Sequence, residues 1–165
     1  MNLGKLSAIL WEERQLLELL IFKLEEESLV VDSGRHHWLG RATSEIQFVL
    51  SNIESAEIRR EELTKIVAGE LALGQSPALG EIVDCCSEPW ATTFYDHRKA
   101  LKTLIERVLE ISHKNREVLS KYVIAVTDAL SIVGKAAGES SGPGYKSDGS
   151  VFGTGRTVRV LDARG

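Results

Sequence analysis

A chain of 165 residues has room for one domain of ordinary size, and with 43% hydrophobic and 27% charged residues it can bury a core. Twenty Lys plus Arg against 24 Asp plus Glu give a net charge of −4. That balance argues against the clustered positive charge with which nucleic acids and anionic membranes are bound. The two cysteines are neighbours, Cys85 and Cys86, which excludes a disulfide-stapled secreted fold. Apolar runs such as Leu19–Phe22 and Val123–Val126 are too short for a membrane span or a signal-peptide core. The expectation is a soluble cytoplasmic protein.

All three prolines lie beyond residue 76, so no helix-breaking ring interrupts the first part of the chain. From Leu3 a 3-4 pattern runs through Leu6, Leu10, Glu13, Leu17, Leu20, Leu24, Glu27 and Val31. Seven of these nine positions are apolar, which is a heptad seam and not a strand alternation. The pattern stops at the chain-turning Ser33-Gly34. A second seam follows through Leu39, Ala42, Ile46, Val49, Ile53, Ala56, Arg60, Leu63 and Val67, in a helix expected from about Arg35 to Leu73 and ended by Gly74.

Ser76 then reads as an N-cap with Pro77 at the first helical position. Leu79, Ile82, Val83 and Cys86 share one face of a short helix. A third long element opens at Ser87-Glu88-Pro89 and carries the longest seam, Trp90, Phe94, His97, Leu101, Leu104, Val108, Ile111, Asn115, Val118, Tyr122, Ala125, Ala129 and Ile132. No glycine or proline interrupts residues 90–133, a rod of roughly 65 Å at ~1.5 Å per residue.

The fold class expected is therefore all-α: an antiparallel bundle of three long helices with one short connecting helix and coiled-coil-like packing. Residues 1–134 are expected to form the helical domain. From Lys135 the composition turns to Gly and Ser, and seven of the 14 glycines fall in the last 28 residues. Residues 135–165 are expected to be a flexible tail, since so little apolar surface cannot offset the entropy of ordering.

No residue pattern in the chain spells out catalytic or metal chemistry. Glu110-Ile-Ser-His113 puts a carboxylate and an imidazole on one helix face, but a di-iron bundle needs that motif twice with two further glutamates. His36-His37 has no suitably spaced third ligand, and His97 in the third seam reads as a satisfied, half-buried residue. Gly142 to Ser147 imitates a phosphate loop, yet Tyr145 intrudes before the lysine and no strand precedes it. Gly153-Thr-Gly155 likewise lacks a strand before it. The cysteines lack C-x-x-C spacing, and one of them faces the apolar stripe as a small hydrophobe. No enzyme, metal site or cofactor is expected.

What remains is apolar helix surface. Trp11, Phe22, Phe48, Ile105, Leu119 and Val123 lie off the seams. A three-helix bundle needs wide stripes, so most of these are expected in the core, the alternative being an open groove for a partner helix. Asn115 either fixes register, because a buried amide seeks one particular partner, or hydrogen-bonds a guest.

Gly34-Arg-His-His-Trp38-Leu39-Gly-Arg-Ala42-Thr43, with Glu45 and the stretch to Glu62, resembles the second helix of FlgN-like flagellar export chaperones. Leu79-Gly-Glu-Ile-Val, Glu88-Pro-Trp90 and His97-Arg98-Lys-Ala-Leu101 continue the match. Asn115-Arg116-Glu-Val-Leu119 is similar to the family's N-R-x-L-L signature, with Val118 where leucine is commoner. Gly40 inside the second helix is a second departure.

The resemblance covers about residues 3–133. It implies a cytoplasmic chaperone of flagellar type III secretion, without enzymatic activity or cofactor. Such a protein binds the C-terminal region of the hook-filament junction (hook-associated) proteins, prevents their premature assembly and delivers them to the membrane export apparatus. The third helix, which outlasts its partners, is expected to supply the cargo groove through Leu104, Val108, Ile111, Asn115, Leu119 and Tyr122, extended by Val126. Nucleic acid and direct membrane insertion are not expected, and the protein would be a monomer or weak homodimer. The competing class is a structural coiled-coil scaffold or self-associating adaptor.

Overall fold

Heptad seams on chains with few breakers fold as long helices, and three long helices with one short one appear in the computed structural model, which describes residues 2–74 and 77–136 with side chains to residue 132. They are α1 (Leu3–Asp32), α2 (Leu39–Glu70), the short α3 (Leu79–Cys85) and α4 (Trp90–Ala136). A single 3-10 turn, His36–Trp38, stands before α2, and no strand occurs among the described residues. The chain divides into two compact units, Met1–Asn115 and Arg116–Gly165. The expected tail, 135–165, falls almost entirely outside the described residues.

Within the first unit every one of the nine seam positions of α1 is buried, joined by Ser7. On α2 the buried set is Ile46, Val49, Ile53, Ala56, Val67 and Ala68, while Arg60 and Leu63 from its seam are half-buried. Two apolar clusters result. One gathers Leu17, Leu20 and Leu24 with Ile46, Val49, Ile53 and Ile111. The other gathers Leu3, Leu6 and Leu10 with Val67, Ile82 and Phe94, so α3 is held at one end of the bundle by its single fully buried side chain. Each such buried aliphatic side chain stabilises the fold by about 1.5–3 kcal/mol.

Cross-helix bonds give the directions. Glu12 pairs with Arg59 and Lys23 with Glu45, so α1 and α2 run antiparallel. Ser7 meets His97 and Leu24 meets Asn115, so α1 and α4 run parallel. This is the up-down-up order that short connections require.

The polar entries in the seams pair with one another. Arg60 donates to Glu13 at 2.7 Å in a layer between the two apolar clusters. Asn115 donates to Glu27 at 3.0 Å and to the Leu24 carbonyl at 2.9 Å, and accepts from the Ser28 hydroxyl. Thr43 of α2 donates to the other oxygen of Glu27 at 3.2 Å. Burial pushes the Glu13 carboxyl above its ordinary range, against the pull of the Arg60 guanidinium.

Several boundaries differ from the expectation. α2 ends at Glu70 and not at Gly74, because Ala72 adopts a left-handed conformation (φ 54°). The Leu73 N–H then reaches back to the Ala68 carbonyl at 2.9 Å and the Ala72 N–H to Gly69 at 3.4 Å, a Schellman closure that usually employs glycine. At the end of α1, Gly34 takes that role with φ 71°, as its position in the turn suggested. Pro77 lies before the cap of α3, which is Ala78, with the Glu81 carboxylate accepting from its N–H at 2.7 Å. Ser76 lies outside the described residues. At α4 it is the Glu88 carboxylate, and not the Ser87 side chain, that accepts from a first-turn N–H, that of Thr92 at 3.4 Å, with the Thr92 hydroxyl donating to its other oxygen at 2.9 Å.

Trp11, Phe22 and Phe48 are exposed rather than buried, each half or more open to solvent. Ile105 is half-buried against the first cluster.

Two stability outcomes follow. Arg60→Met leaves the Glu13 carboxylate buried without its partner and should destabilise by roughly 1–3 kcal/mol, whereas Glu13→Leu with Arg60→Leu should be neutral or stabilising; urea unfolding of the three proteins measures both. Ala72→Gly relieves the left-handed alanine and should raise stability by about 0.5–1 kcal/mol in the same experiment.

Candidate partner-binding site on the last helix

The seven residues singled out on the last helix are all carried by α4, but they meet different surroundings. Leu104 and Val108 are half-buried and pack against the first apolar cluster. Ile111 is a member of that cluster, only 5% exposed. Asn115 is also 5% exposed, and its amide is committed to Leu24, Glu27 and Ser28 of α1. These four belong to the first unit, where they bind α1 and α2 together.

The other three belong to the second unit, described by itself. Leu119 and Tyr122 are half-buried, and Val126 is exposed. Around them stand apolar side chains beyond those seven: Val123 at 44%, Ile124 at 58%, Leu130 at 66% and Ile132 at 69% exposure. Leu119, Tyr122, Val123, Val126 and Leu130 recur at i, i+3, i+4, i+7 and i+11, one face of a helix. The polar residues of the segment, Ser120, Lys121, Thr127 and Asp128, lie off that face, and Thr127 turns its hydroxyl onto the Val123 carbonyl at 2.8 Å. The signal for this surface is in the sequence: the α4 seam is four positions longer than either partner seam can match.

Other candidates resolve as ordinary structure. Glu110 pairs with Arg107 at 2.8 Å, and Arg107 also reaches Glu25 at 3.2 Å. Among the described residues no group of three or more His, Cys, Asp or Glu is placed to hold a metal ion. Cys85 is exposed and Cys86 half-buried against the second cluster. The glycine motifs at 142–147 and 153–155 lie outside the described residues. No described helix is long and apolar enough to cross a membrane.

His97 is fully buried rather than half-buried. Its Nε2 shares a 3.0 Å hydrogen bond with the Ser7 hydroxyl, and its Nδ1 has no partner. The ring lies edge-on to Trp11 at 5.4 Å, and the Arg14 guanidinium covers Trp11 at 4.0 Å. Burial, and then the Arg14 charge, hold the imidazole below its ordinary range, with Asp96 opposing them.

The model of one protein family, described as FlgN protein, matches residues 1–151. No curated protein and no solved structure matches the chain.

The depressed His97 predicts the sign of an acid effect. The unfolded chain takes up a proton below the ordinary histidine value of 6.5 while the folded chain resists it, so stability falls as pH drops through that value and levels off below the folded one. Urea unfolding between pH 7.5 and 5 should show this decline, and His97→Gln should flatten it.

Proposed function

The chain belongs to the FlgN family of flagellar export chaperones, and from that premise we propose that it binds the C-terminal region of the hook-filament junction proteins in the cytoplasm, keeps it from assembling prematurely and delivers it for export. The observation that carries this reading is the apolar face of α4 in the second unit, from Leu119 to Leu130. Water-exposed Val126 and Leu130 are a standing cost that a guest with an apolar stripe of its own would relieve. Affinity would come from burial of apolar surface, with Lys121 and Asp128 on the flanks setting orientation.

Within that site Leu119, Tyr122 and Val126 are direct contacts. Leu104, Val108, Ile111 and Asn115 serve it from the bundle, since their side chains are spent on packing and on hydrogen bonds to α1. No catalytic step and no cofactor is needed for such work. The competing reading, a coiled-coil scaffold, would use the same face to join copies of the chain.

Calorimetric titration with C-terminal segments of the first and third hook-associated proteins separates the two. One-to-one binding at micromolar affinity or tighter, with a negative heat-capacity change, is expected. Val126→Asp with Leu130→Asp should weaken it by at least about tenfold, and helicity should be retained because both side chains are exposed. Absence of heat and of co-elution with either segment, together with a stable homo-oligomer, would establish the scaffold instead.

A further inference from the structure

The seam of α4 is in phase from Trp90 to Ile132, whereas those of α1 and α2 end after nine positions each. Apolar packing with a period of seven does not by itself choose among registers that differ by one heptad. Moved by seven residues, Leu101 would take the place of Phe94, Val118 that of Ile111, and Tyr122 that of Asn115. Such a slip would draw part of the apolar face from the second unit into core positions.

Two polar residues of α4 break the degeneracy. His97 is 1% exposed and bonded to Ser7. Asn115, 18 residues further on, uses its Nδ2 on the Leu24 carbonyl and on Glu27, while its Oδ1 takes the Ser28 hydroxyl. After a one-heptad slip Ser7 would face Leu104, and the buried Glu27 would face a phenol ring in a space that holds an amide. A buried polar group left without its partner costs far more than a rearranged methyl group. Only one register satisfies Ser7, Ser28 and Glu27 together.

We propose that His97 and Asn115 are positioning residues for the partner-binding face: they pin α4 in the register that keeps the face from Leu119 to Leu130 out of those core positions. The proposal rests on the reading of that face given above, but its principal test needs no partner.

Spin labels at Leu29→Cys and Lys102→Cys, both exposed positions, report the axial offset of α1 and α4 once Cys85→Ser and Cys86→Ala are in place. They stand far apart along the axis, so a one-heptad slip, about 10 Å of translation, lengthens their distance by nearly that amount. The otherwise native protein should show one distance. His97→Leu with Asn115→Leu should show a second, longer one at undiminished helicity, and affinity for the hook-associated segment should fall in proportion to the native-register fraction, about tenfold where a tenth remains.

A single unshifted distance in the helical double variant overturns the proposal. Should that variant lose helicity, Asn115→Val alone, with His97 retained, decides by the same distance: a second population supports the pin, and one unshifted distance refutes it. Failure of the unsubstituted protein to bind the segment would overturn the partner reading and leave the register measurement standing.

Discussion

A carboxylate placed in an apolar seam must find a partner inside the protein, and α1 carries two of them. Glu13 and Glu27 lie fourteen residues apart on the same stripe, each less than a tenth exposed. The first receives Arg60 from α2 and the second receives Asn115 from α4 and Thr43 from α2. Leucine would pack against leucine at many offsets along such a bundle. These layers accept only one, because moving either helix strands a buried charge or amide. Within the up-down-up order that the short connections impose, the registers of α2 and α4 against α1 are consequences of satisfying both layers at once.

Spacing of the layers also explains how the core is arranged. The Glu13–Arg60 layer separates the cluster around Leu6 and Phe94 from the cluster around Leu20 and Ile111. Ser7 and His97 place a third polar contact inside the former. Oily and polar layers thus alternate along α1. Apolar burial supplies most of the driving force, and the polar layers contribute selectivity more than stability. Surface pairs such as Arg59–Glu12 and Lys23–Glu45 add little to either, because solvent screens them.

The division of α4 follows from the same accounting. Up to Asn115 its seam has α1 and α2 to pack against. Beyond the Glu27 layer α1 has one further seam residue, the buried Val31, and α2 has the half-buried Ala42 and Leu39, before the chain turns between the two helices. The helix itself continues because nothing in residues 116–133 breaks it. An exposed apolar face on a long helix is the form that an interaction surface takes. Membership in the FlgN family agrees with that form.

Periodicity was enough to place the helices and nearly all of the α1 core, because burial follows spacing directly: all nine seam residues of α1 are inside. It also marked Glu13, Glu27, Arg60 and Asn115 as exceptions, since a polar residue in a seam stands out without any coordinates. Their pairing was not legible, because it depends on which residues of different helices come level. Nor were the helix ends: a left-handed alanine closes α2 where a glycine stood two residues further on, and local propensity ranks those two choices the wrong way round. Trp11, Phe22 and Phe48 could be assigned to a face but not to core or solvent, since hydrophobicity does not say whether another helix lies opposite. The sequence alone determined the helical class, the seams and the length of the last helix, all properties of residue spacing. Only the tertiary structure decided which polar residues meet and which side chains of the last helix enter the core of the first unit, because both depend on the relative level of segments far apart in the chain.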